Sequence, residues 1–190
     1  MRKKKEMKHL DEKVKMNEVE ADQESSIGGS NLLHENYLNL KKIAECMLTE
    51  RYRYMKLRAP GFMDLVIEKI WANRISLSHY YEQNGDLMSD PDMEIIVDHK
   101  NETLRAATFQ QDNMGIYQSA YREDELVDED LAMELNGFLK QWLQNIQVQG
   151  HIPYKAYYSS EVLADMGNVS FDENGNEIAP ELDEDDDMEM

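Results

Sequence analysis

Between residues 51 and 121 the chain breaks into short apolar runs punctuated by turn residues, with no stretch between them that reads as a crossover helix. The runs are Arg51–Arg58, Phe62–Trp71, Ile75–Gln83, Met93–Val97, Leu104–Gln110 and Ile116–Tyr121. They are separated by Ala59-Pro60-Gly61, Asn73-Arg74, Asn84-Gly85-Asp86 with Asp90-Pro91-Asp92, His99-Lys100-Asn101-Glu102 and Asp112-Asn113-Met114-Gly115. Parallel strands need crossovers of a dozen residues or more, whereas short Asn/Gly/Asp connections join antiparallel neighbours. This spacing predicts an antiparallel meander of five or six strands.

Two segments have helical period instead. In 32–50, Leu33, Tyr37, Leu40, Ala44, Met47 and Leu48 fall on one face, with Ser30 or Asn31 placed to cap the start. In 129–149, Leu131, Leu135, Phe138, Leu139, Trp142, Leu143 and Ile146 form a continuous stripe. Asp128 stands at its N-cap, Glu129 and Asp130 suit the positive helix start, and Gly150 sits at C′. The fold class read from the sequence is α+β: a sheet packed by an N-terminal and a long C-terminal helix. A short helix is also expected near Ser160–Met166.

Charge divides the chain. The net charge is −19. Residues 1–31 balance seven basic against seven acidic side chains, while residues 172–190 hold ten acidic and no basic ones. The expected organisation is a disordered charged arm over 1–30, one α+β domain over 31–167, and a disordered acidic tail over 168–190. The strong negative charge argues against direct binding to nucleic acid or anionic lipid and favours a basic protein partner. No apolar run is long enough to span a bilayer, and the basic start at Met1 is followed by no hydrophobic segment. With a single cysteine, Cys46, no intramolecular disulfide can form. The expected compartment is the cytoplasm.

No phosphate-binding, dinucleotide, zinc or nucleophile-elbow motif is present, so a non-enzymatic protein without cofactor is expected. Asp86, Asp90 and Asp92 are spaced carboxylates, but the segment lacks the glycine and closing glutamate of a calcium loop. His79 shares a strand face with Ile75, Leu77 and Tyr81, which suits a core histidine. An alternative is a small enzyme or ligand-binding site near His79, Asp98 and His99. Arg51, Arg53, Lys56 and Arg58, interleaved with Tyr52 and Tyr54, make one basic-aromatic patch. Such a patch can stack bases and hold phosphates, or can pair with the chain's own acids.

The stretch from Ser78 through Asp98, with Pro60–Val66 before it and Glu134–Leu143 after it, resembles a small uncharacterised family encoded on plasmids, phages and conjugative elements of Gram-positive bacteria. A more distant likeness, on Pro91-Asp92, Asp98-His99 and Asn136–Leu143, is to a second bacterial family of unknown function. Both imply one α+β domain and assign no residue a role. The first implies an accessory protein of mobile DNA. In that setting carboxylate-rich surfaces can imitate duplex phosphates. The sharpest expectation is therefore a nucleic-acid-mimicking inhibitor of a host defence nuclease, of anti-CRISPR or anti-restriction type. Its candidate contacts are Asp183, Glu184, Asp185, Asp186 and Asp187 of the tail with Asp86, Asp90 and Asp92 of the core.

Overall fold

A computed structural model describes residues 29–122, 125–158 and 169–178. The arm before residue 29, the helix expected near Ser160–Met166 and the run Asp183–Asp187 lie outside the described residues.

Helix α1 spans 29–44 and tightens into a 3-10 turn, Glu45–Leu48. It starts earlier and ends earlier than the 32–50 period suggests, because Thr49 turns to extended backbone and its hydroxyl donates to the Cys46 carbonyl at 2.7 Å. Twelve strands follow in the described residues: β1 Tyr52–Arg58, β2 Leu65–Trp71, β3 Arg74–Gln83, β4 Asp86–Asp98, β5 Thr103–Ala106, β6 Thr108–Gln111, β7 Ile116–Ser119, β8 Tyr121–Arg122 and β9 Glu125–Leu126. After helix α2, Glu129–Gln149, come β10 Ile152–Tyr158, β11 Val169–Phe171 and β12 Glu177–Ile178. Ten strands form one antiparallel sheet in the order β12-β11-β10-β1-β2-β3-β4-β6-β7, with β5 also on β4; β8 and β9 pair separately.

The class is the expected one, but the sheet is larger than five or six strands. Three causes account for this. The run Leu104–Gln110 is split at Ala107 into β5 and β6, which pair with successive parts of β4. Asp90-Pro91-Asp92 does not interrupt the chain: it lies inside β4, opposite the register shift between Ser78 and Tyr80, where a proline's missing N–H is tolerated. The chain after α2 also returns as β10 beside β1, and residues 169–178, expected to belong to the tail, add β11 and β12 at that edge.

Alternation sends Met55 and Leu57, Leu65 and Ile67, Ile75 and Leu77, and Met93, Ile95 and Val97 to one face. They form a single cluster with Tyr37, Leu40 and Met47 of the first helix and Leu135, Leu139, Trp142, Leu143 and Ile146 of α2. A fully buried leucine such as Leu77 contributes about 2 kcal/mol by leaving water. Phe138, read as core, is 41% exposed and meets Phe109 edge-on at the border of the helix.

Asn136 fastens the layers. Its Oδ1 accepts from Ala106 N at 2.9 Å, its Nδ2 donates to Ala132 O, and its carbonyl accepts from Asn36 Nδ2 at 3.2 Å. The buried Asn136 amide thereby ties α2 to β5, and the Asn36 amide ties α1 to the backbone of α2 at the same residue. The Asp128 carboxylate accepts from Leu131 N at 2.9 Å, and Gly150 closes the helix at φ 74°, as the sequence indicates.

Candidate functional site

Because both helices bury their side chains on one face, the alternate residues of the strands form a second face that no helix covers among the described residues. Register pairs align Ile178, Ser170, Lys155, Lys56, Val66, Ser78, Asp92, Gln110 and Tyr117 in one row across the sheet. The neighbouring row reads Tyr157, Tyr54, Glu68, Ser76, Glu94. The face is basic and aromatic over β10 and β1, and acidic over β3 and β4.

The basic end is built on Asp64, which follows the Pro60-Gly61 turn. Its carboxylate accepts from Arg58 at 3.0 and 2.9 Å and pairs with Lys56 at 2.8 Å. The bonds from Arg58, with help from Lys56, hold the Asp64 carboxyl below its usual range and raise the Arg58 guanidinium. Arg58 lies over the Tyr154 ring at 3.7 Å, Lys155 over Tyr157 at 5.2 Å, and the Tyr54 and Tyr157 rings are 5.0 Å apart. Burial pushes the Tyr54 phenol up. Arg51 pairs with Glu177 of β12, which also accepts from the Tyr52 hydroxyl at 2.7 Å.

At the acidic end carboxylates are held in place by hydrogen bonds. Asp92 accepts from Ser76 at 3.0 Å and from Tyr80 at 3.1 Å, and burial pushes the Tyr80 phenol up. Asp90 accepts from Gln111 at 2.8 Å, and Asp112 from Gln110 and from Ser89 N, both at 2.7 Å. The bond from Gln110, with that from Ser89, lowers the Asp112 carboxyl. Asp86 is exposed at the β3–β4 turn. Leu87, Met114 and Tyr117, each more than 60% exposed, lie on these same strands and turns. The division runs along the chain as well: residues 36–74 carry eight Lys/Arg against four Asp/Glu, and residues 75–135 carry three against fifteen.

The alternative constellation does not assemble. His79 is buried on the helix-covered face, donating from Nδ1 to the Asp64 carbonyl at 2.9 Å and packing 5.4 Å from Trp142. Asp98 caps the 99–102 turn, accepting from Lys100 N and Asn101 N at 3.1 and 3.0 Å, with exposed His99 beside it. His79 stands across from Asp90–Pro91, so Asp98 lies about seven residues further along β4, roughly 20 Å away. Among the described residues no group of three His, Cys, Asp or Glu side chains could hold a metal ion, and no helix is long and apolar enough to cross a membrane.

The family model described as a domain of unknown function, DUF6908, matches residues 35–152, well over half of the chain. The chain belongs to the DUF6908 family. No curated protein matches it, and no solved structure does. The matched DUF6908 region runs from within α1 to the first residue of β10, so it contains most of α1, all of α2 and the acidic half of the sheet. Most of β10, with Lys155, and all of β11 and β12 lie beyond it.

Reading the DUF6908 sequence alone misses three features of this site. Lys155 joins the basic patch only through the β1–β10 pairing, which Pro153 disguises. Glu177, counted with the tail, is a fixed partner of Arg51. His151 is buried beside His79, donating from Nε2 to the Met63 carbonyl at 2.9 Å, and only the helix-terminating Gly150 beside it hints at that position. Of the tail residues proposed as contacts, Asp183, Glu184, Asp185, Asp186 and Asp187 fall outside the described residues.

Proposed function

We propose that this DUF6908 protein is a non-enzymatic accessory protein that acts through protein–protein contacts, docking a basic partner on the acidic half of its sheet. The observation that supports the reading is the segregation of charge: the sequence has fifteen Asp and Glu against three Lys and Arg between residues 75 and 135, and thirteen of the fifteen lie in the described strands, turns and α2 of that stretch. Randomly placed solubilising acids would not leave the nearby strand β1 with Arg53, Lys56 and Arg58 and no acid of its own. Hydrogen bonds on Asp90, Asp92 and Asp112 fix the carboxylates in advance, which lowers the ordering cost of binding. Exposed Tyr117, Met114 and Leu87 beside them give the composition of an interface core.

The finer form of the proposal names the partner's chemistry. A fixed array of carboxylates suits a groove lined by Arg and Lys, the surface that a nuclease presents to a duplex. The resemblance to proteins of mobile elements supports a host defence nuclease, of CRISPR or restriction type, as that partner, and the chain as its nucleic-acid-mimicking inhibitor. The test is binding to a panel of purified Gram-positive defence nucleases, with duplex DNA as competitor. Affinity should fall more than tenfold between low salt and about 0.5 M salt, where the screening length shrinks to a few ångströms. It should also fall when Asp86→Asn, Asp90→Asn and Asp92→Asn are combined. Binding indifferent to salt and to these substitutions would overturn the proposal.

A further inference from the structure

Two buried histidines hold one short segment. Residues 60–64 cross from β1 to β2 as turn and loop, and among the described residues their backbone bond outside the ladders is the one from Phe62 N to the Ala59 carbonyl at 3.2 Å. Closure comes from side chains. His151 donates from Nε2 to the Met63 carbonyl, and His79 donates from Nδ1 to the next carbonyl, that of Asp64, both at 2.9 Å. Arg58 and Lys56 hold the Asp64 carboxylate. The rings run in a row, Phe62, His151, His79 and Trp142, with neighbouring centroids 6.2, 6.0 and 5.4 Å apart.

This arrangement suits only neutral rings. A carbonyl can only accept, so each histidine uses its single neutral-state N–H on the segment and leaves its other ring nitrogen as a lone pair. For His151 that atom is Nδ1, which is buried and has no hydrogen-bond partner. A proton added there would sit on an N–H with nothing to accept it. Both histidines are 7% exposed, so water does little to disperse a charge. The groups around them offer small relief. Asp64, on the segment itself, is committed to Arg58 and Lys56, and Asp90, on β4, accepts from Gln111. From β2 comes Leu65, the cross-strand partner of His79, and from α2 the indole of Trp142. Burial lowers the His79 pKa; its bond to the Asp64 carbonyl opposes this, and a charge on His151 adds to it.

We propose that His79 and His151 are a pH-sensitive latch: neutral, they keep residues 60–64 closed on the sheet, and protonation of both rings releases the segment. Two imidazolium rings 6.0 Å apart in a low-dielectric site repel strongly, and swinging the segment out admits water to both. Release is local because residues 60–64 lie in no strand, so the ten-stranded sheet stays closed. It uncovers the rings of His151, His79 and Trp142 and draws Asp64 away from Arg58 and Lys56, which changes the basic end of the uncovered face. The latch stands whichever partner the acidic half of the sheet takes.

An NMR titration of the full chain from pH about 7.5 to about 5 tests this. The His79 and His151 ring signals should titrate as a linked pair in two steps, and the NOE between the Phe62 and His151 rings should vanish with the second. Exchange of the Leu65 amide, corrected for the intrinsic effect of pH, should rise at least about tenfold, while that of Ile95 in β4 stays level and reports an intact sheet. Asp64 stays ionised throughout, since Arg58 holds its carboxyl below the ordinary range. His151→Gln keeps a donor for the Met63 carbonyl but takes no proton. It should hold the Leu65 rate within about twofold of its starting value and raise the His79 midpoint. His79→Gln, tested beside it, should also keep the segment closed. Independent titration of the two rings with the NOE intact at the acid end would overturn the inference. So would release that is unchanged in both glutamine variants, or release that occurs only together with faster Ile95 exchange.

Discussion

Replacing Asn136 by alanine tests how helix α2 and the sheet are joined. The side chain is 5% exposed, and its Oδ1 is the acceptor for Ala106 N at the end of β5, where the strand ladder is about to break at Ala107. Alanine strands that buried N–H, which costs about 1–3 kcal/mol, and the better helix propensity of alanine returns about 0.5 kcal/mol. The net expectation is a loss of about 2 kcal/mol, or a drop in Tm of about 5–10 °C for a domain of this size. Urea unfolding of the full chain measures it: the midpoint should fall with an unchanged slope, because the surface exposed on unfolding is the same. Asn136→Asp sharpens the test. Its carboxyl keeps an acceptor for Ala106 N but is disfavoured as a buried anion, so its folded pKa rises. Stability should then decline as pH climbs above about 4 and level off once the folded carboxyl ionises. A loss below about 0.5 kcal/mol for Asn136→Ala, or a pH-independent Asn136→Asp, would refute the argument that this amide fastens the layers.

Other expectations follow from the titrating groups. The Asp64 carboxyl is held low by Arg58, so its contribution is present above the ordinary aspartate value and lost as pH falls through the lower folded value; Asp64→Asn should flatten the acid limb of a Tm-against-pH curve relative to the parent. Burial lowers the His79 pKa, so stability is complete above about 6.5 and falls as pH drops below it, and an NMR titration should place the His79 midpoint under the free-histidine value. His79→Leu should abolish that slope and leave stability at pH 7 within about 1 kcal/mol. Burial raises the Cys46 thiol, whose Sγ sits 3.8 Å from Met55 Sδ, so a thiol reagent at pH 8 should modify it more slowly in the native protein than in urea.

The sequence discloses period, and period carried both helices, the caps at Asp128 and Gly150, and the inward set Ile75, Leu77, His79. It does not disclose who pairs with whom at a distance. The β1–β10 partnership bridges about a hundred residues, and no local signal announces it; Pro153 and the three tyrosines of Ile152–Tyr158 obscure the strand. For the same reason Val169–Phe171 and Glu177–Ile178 read as tail in the sequence: two- and three-residue strands have no readable alternation, and they form here by adding in turn, β11 onto β10 and β12 onto β11. The basic-aromatic patch was legible as composition on Arg51–Arg58, whereas its completion by Lys155 and Tyr157 needed the register. The separation of His79 from Asp98 and His99 is likewise a matter of distance along β4, which residue types alone cannot convey.

Basic over β10 and β1 and acidic over β3 and β4, the sheet carries an uneven distribution of charge in its own plane. Near a positively charged surface such a body experiences a torque as well as an attraction, and it turns its β4–β7 flank forward before any atoms touch. The encounter is thus oriented from a distance, and a rearrangement of charges that preserved the net −19 would still slow association by letting the molecule arrive in the wrong attitude.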